Sequence, residues 1–93
     1  MYKDLDPLLH SQLRLAIVSI LMTGESADFN QIMDITKATS GNISVQIKKL
    51  QDAGYIEVVK SFKNNYQNTA LKITNKGIKA FENYVECLKQ YIK

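Results

Sequence analysis

Residues 39–55, Thr-Ser-Gly-Asn-Ile-Ser-Val-Gln-Ile-Lys-Lys-Leu-Gln-Asp-Ala-Gly-Tyr, run from one hydrophobic period into another, and that switch limits the folds open to the chain. Up to Asp52 the pattern is helical. Ile43, Ile47 and Leu50 recur at spacings of four and three, so they share one side of an α-helix. Gly41, Val45 and Lys48 point the opposite way, flanked by Asn42 and Ser44. After Ala53-Gly54 the period drops to two, and Tyr55 to Phe62 is a β-branched and aromatic run that predicts a strand. The helix therefore has an apolar inner face, a small, polar and cationic outer face, and a strand directly behind it. Small residues let a backbone approach another surface closely. Ser and Asn supply short donors and acceptors, and Lys supplies charge. A helix with that outer face is suited to a DNA groove, with bases at its first turns and phosphates further along.

Upstream, Asp6-Pro7 predicts the start of a first helix, with Asp6 as cap and Pro7 in the first turn. Its apolar stripe is Leu9, Leu13, Ile17, Ile20 and Leu21, and Thr23-Gly24 ends it. Glu25-Ser26-Ala27 reads as a connector or a stub of strand. Asp28 and Gln31 form a capping box for a short second helix, with Phe29, Ile32 and Ile35 facing inward and Met33 beside them. That helix must stop near Lys37-Ala38, and Thr39 or Ser40 caps the next. Downstream, residues 63–68 read as a polar loop and Thr69 to Ile73 as a returning strand. Thr74 caps a last helix to about Tyr91, in which Ile78, Phe81, Val85, Leu88 and Ile92 form a heptad-like seam. The expected fold is mainly α with a β-hairpin wing: one domain over 1–93, a helix-turn-helix at about 28–53, a wing at about 55–73 and a dimerisation helix at about 74–91.

Charge sharpens the expectation. Residues 1–36 carry Lys3 and Arg14 against five carboxylates, a balance of −3, whereas residues 37–79 carry eight lysines against Asp52 and Glu57, a balance of +6. Such segregation points to a polyanion partner for the central half. No Ser/His/Asp set, Cys–His pair or Gly-rich phosphate loop is present, which argues against an enzyme. The single His10 and single Cys87 leave no metal cluster to build, so no metal or cofactor is expected. No apolar run approaches the roughly 20 residues of a membrane span, and the chain is expected to be cytoplasmic and to make no membrane contact.

Thr39-Ser40-Gly41-Asn42-Ile43-Ser44, Ile47-Lys48-Lys49-Leu50 and Ala53-Gly54-Tyr55-Ile56-Glu57-Val58 resemble the small winged-helix transcriptional regulators related to the MarR and ArsR groups. Leu9-His10, Arg14-Leu15, Phe29, Gly77, Ala80-Phe81 and Tyr84 extend the likeness from about Leu5 to Tyr91. It differs at Gln46, where the family pattern has His, at Lys37, where Gly is frequent, and in a wing without Arg or Pro. The resemblance implies a homodimer on double-stranded operator DNA, with the third helix in the major groove and the first and last helices at the dimer contact. The residues that would choose bases are then Ser40, Gly41, Asn42, Ser44 and Val45. Those that would hold the phosphate backbone are Thr39, Lys48, Lys49, Lys60 and Lys63. The dimer contact would use Leu9, Leu13, Ile78, Phe81, Val85, Leu88 and Ile92. No effector follows from the pattern. The competing reading is a winged helix that binds protein instead of DNA.

Overall fold

The computed structural model describes residues 2, 4–24, 26–63 and 66–92. Seven elements follow in order: α1 (Gln12–Gly24), β1 (Ser26–Asp28), α2 (Phe29–Thr36), α3 (Ser40–Asp52), β2 (Ile56–Lys63), β3 (Tyr66–Ile73) and α4 (Asn75–Lys89). The strands form one antiparallel sheet in the order β1-β3-β2, with β2 and β3 paired from Ile56↔Ile73 to Lys63↔Tyr66. Helices α1, α2 and α3 enclose a core whose fully buried side chains include Leu9, Ile17, Leu21, Ile32, Ile43, Leu50 and Leu71. Ile43, Ile47 and Leu50 are the buried face of α3, as their spacing predicts.

Side-chain caps fix the helix starts. Asp28 accepts from the backbone N–H of Gln31 at 2.8 Å, and Gln31 Oε1 accepts from the N–H of Asp28 at 2.9 Å, which completes the capping box. Thr39 Oγ1 accepts from the N–H of Asn42, and Thr74 Oγ1 accepts from the N–H of Gly77. Between α2 and α3, Lys37 adopts the left-handed conformation with φ 60. A Cβ in that conformation costs about 1 kcal/mol. The bond from Lys37 N–H to Met33 O, at 2.9 Å, caps the helix in compensation.

Three expectations need correction. The first helix begins at Gln12, not at Pro7. Asp6 does accept from the N–H of Leu8, but the Leu8 carbonyl is taken by Arg14 Nε at 2.6 Å, so the Asp6-Pro7 signal produces one isolated turn. Ile35 is 61% exposed, because α2 ends one residue later and its last turn projects past the core. The returning strand of the wing is longer than the residue pattern suggests, starting at Tyr66 and not at Thr69. Pairs such as Ser61↔Asn68 and Phe62↔Gln67 continue the ladder beyond the core, since backbone pairing needs no apolar face. Only residues 64 and 65 separate β2 from β3, and they lie outside the described residues, as does Glu25. In α4 the buried residues are Gly77, Tyr84 and Cys87, while the heptad-like seam of Ile78, Phe81, Val85 and Leu88 is half-buried and Ile92 is 67% exposed.

Candidate nucleic-acid interface

α3 presents its outer face as the residue pattern predicts. Ser40, Gly41, Asn42 and Ser44 are exposed, and Val45 is 52% exposed although its side chain is apolar. Nothing lies within 4 Å of the Cβ that Gly41 lacks, so packing within the protein does not require a glycine there. Thr39 is exposed too, but its hydroxyl is committed to the cap.

The cationic residues flank this face. Lys48 and Lys49 are exposed in the second half of the helix. Lys48 Nζ lies 3.5 Å from Asp52 Oδ1, an exposed pair that is worth little in water and is readily exchanged for a phosphate. Lys60 shares a strand face with Ile56 and Val58 and lines a cleft with Ser44, Lys48 and Gln51, so the wing's cation borders the outer face of α3. The Lys63 side chain lies outside the described residues. Phe62, which the sequence pattern does not single out, stands 78% exposed on the same strand face as Lys60.

Two further residues join the site through the fold. Arg14 Nη1 donates to Gln46 Oε1 at 2.6 Å, and Gln46 Nε2 donates to Asn42 Oδ1 at 2.9 Å. Residues 14 and 46 are brought together by the packing of α1 against α3, which no local spacing reveals.

The proposed dimer residues fall into separate groups. Leu9 is fully buried within the protomer and so has no surface to offer a partner. The turn at Asp6–Leu9 folds its side chain under α1 instead of extending the helix outward. Leu13, Phe81 and Leu88 pack partly against the core, whereas Ile78 and Val85 are half-buried outside that cluster and Ile92 is exposed. Among the described residues no group of His, Cys, Asp or Glu could hold a metal ion, and no helix is long and apolar enough to cross a membrane.

Comparison with known proteins places this geometry. An uncharacterized protein of Methanocaldococcus jannaschii is 36% identical over 84 residues, covering 90% of this chain and 91% of that protein. The solved structure of a transcriptional regulator homologue from Pyrococcus horikoshii OT3 superimposes with a TM-score of 0.86 at 27% identity, covering 91% of this chain and 84% of the other. The regulator BldR from Sulfolobus solfataricus shares the fold at TM-score 0.75 and 20% identity, over 88% of this chain and 58% of its own. Bacillus subtilis PadR, solved in complex with operator DNA, shares it at TM-score 0.71 and 20% identity, over 81% of this chain and 48% of its own. The family described as "winged helix DNA-binding domain" matches residues 13–92, and the chain belongs to that family.

Proposed function

We propose that this protein is a sequence-specific regulator of transcription that binds double-stranded DNA as a homodimer on a pseudo-palindromic operator. The observation that carries the reading is the outer face of α3: small, uncharged and exposed at Ser40, Gly41, Asn42, Ser44 and Val45, with Lys48, Lys49 and the wing's Lys60 around it. A protein-binding module has no need of lysines ringing an uncharged face, whereas a groove reader needs small residues at bases and cations at phosphates. In this reading Thr39 and Lys63 add backbone contacts, and DNA and a second copy of the chain are its partners. The family and fold are those of regulators and not of enzymes. The inferred compartment is the cytoplasm, where such DNA is found.

A gel-shift series on the DNA upstream of the protein's own gene tests the class. Retardation should survive excess unrelated duplex, and log affinity should fall linearly with log salt concentration as lysines displace counterions. If no duplex were retarded even at low salt, the DNA-binding reading would fail.

A further inference from the structure

Three hydrogen bonds in series tie α1 to the first turns of α3. Arg14 Nε donates to Leu8 O, Arg14 Nη1 donates to Gln46 Oε1, and Gln46 Nε2 donates to Asn42 Oδ1. The polarity of that series follows from its first member. A guanidinium has donors only and stays charged throughout the range in which proteins fold. The Gln46 atom that faces it must accept, which fixes Oε1 there and turns the amide's NH₂ toward Asn42. Asn42 must then meet a donor with Oδ1, leaving its own NH₂ as the outward end of an exposed side chain.

We infer that Arg14, acting through Gln46, sets Asn42 as a hydrogen-bond donor toward DNA, so that the base it meets must offer an acceptor and cytosine is disfavoured there. The inference rests on the proposed DNA-binding function and deepens it by naming the class of base edge. In the major groove guanine offers N7 and O6, adenine N7 and thymine O4, whereas the cytosine edge presents an amine donor. Arg14 and Gln46 are positioning residues in this account, since neither needs to touch the nucleic acid. A purely structural Arg14, fastening only the turn at Leu8, would leave base preference indifferent to the chemistry of residue 46.

Gln46→Glu separates the two. The new carboxylate accepts from Arg14 but cannot donate, so Asn42 must turn its NH₂ inward and present Oδ1 outward. The experiment measures affinity for duplexes bearing each of the four bases at the position most sensitive to Asn42→Ala. The parent should bind the cytosine duplex about tenfold more weakly than its best base. Gln46→Glu should bind all four duplexes less well because of its added charge, yet raise cytosine above guanine and thymine, since Oδ1 accepts from the cytosine N4 amine as it does from the adenine N6 amine. Arg14→Met should flatten the preference by freeing Gln46 to point either way. Should that variant fail to fold, Gln46→Glu alone decides, as it keeps Arg14 and its bond to Leu8. An unchanged base order in Gln46→Glu, with the parent still selective, overturns the inference and leaves the proposed function standing. A parent that binds no duplex overturns both.

Discussion

Tyr55 is the residue on which the turn out of α3 closes. Its N–H donates to Leu50 O at 3.0 Å, its carbonyl accepts from Thr74 N–H at 3.1 Å, and its hydroxyl donates to Asp6 Oδ2 at 2.5 Å. Burial, then the hydrogen bond to Asp6 and the charge of that carboxylate, push the Tyr55 pKa up to about 12 from its ordinary 10.0. The folded value lies above the unfolded one, so the stabilisation is complete below pH 10.0 and is lost as pH rises toward about 12. Tyr55→Phe should therefore differ from the parent by a constant stability up to that lower bound, with the difference shrinking above it. Urea unfolding of both proteins across the alkaline range reads this directly, and parallel curves would rule it out. The Asp6 end of this contact was half legible in the residues. Asp6-Pro7 announces a cap, and a cap forms, but the sequence does not reveal that Arg14 intercepts the Leu8 carbonyl and confines it to one turn. The contact of Arg14 with Gln46 was hidden for the same reason, since periodicity reports faces of single elements and not side chains that meet across 32 positions.

At the scale of elements, the placement of α4 depends on close approach. A Cβ on Gly77 would stand 2.2 Å from the Tyr55 carbonyl oxygen and 3.0 Å from Ile73. Backbone cannot yield as a flexible side chain can, so Gly77→Ala should destabilise the fold by about 3 kcal/mol, at the upper end for overpacking. A thermal midpoint within 2 °C of the parent's, against an expected fall of about 12 °C or more, would show that α4 can shift without loss. The heptad spacing of Ile78, Phe81, Val85 and Leu88 marks the side of this helix that the core covers only in part, whereas the residues it buries, Tyr84 and Cys87, lie one position away. Tyr84 can be buried because its hydroxyl finds His10 Nδ1 at 3.1 Å. α3 was legible because the three apolar residues that share its helical period, Ile43, Ile47 and Leu50, are the ones it buries. In the proposed function the role of the wing is electrostatic. Lys60→Ala should weaken binding to every sequence alike and lower the slope of log affinity against log salt by about one. Anisotropy titrations at several salt concentrations check it, and a loss confined to one sequence would reassign Lys60 to base reading.

For the whole molecule, shape and residual apolar surface point the same way. The radius of gyration is 14.0 Å and the extents are 54 × 25 × 22 Å, against about 12 Å expected for a compact chain of this length. So elongated a protomer retains apolar surface that its own core does not cover. Ile78 and Val85 stand half-buried on the outer side of α4, and Ile92 follows them into solvent. A second copy packed along this side would hide them, and binding to successive major grooves requires of such a pair α3 helices about 34 Å apart, one helical turn of DNA. The contact proposed here uses Ile78, Val85 and Ile92, with Leu13, Phe81 and Leu88 contributing the parts of their side chains that the core leaves open. The choice of variant follows from that division. Leu88 also packs on the protomer's core, so its replacement would confuse folding with association, whereas Val85 lies outside the core cluster. Val85→Asp should keep the circular-dichroism spectrum of the parent but bring a charge into the apolar contact, at a cost of several kcal/mol. At micromolar concentration the parent should sediment at about 21 kDa, twice the 10.6 kDa chain, and Val85→Asp at 10.6 kDa. The variant should also bind a single half-site and a paired site with nearly equal affinity, while the parent prefers the paired site. A parent that sediments as a monomer and gains nothing from the second half-site would refute the dimer.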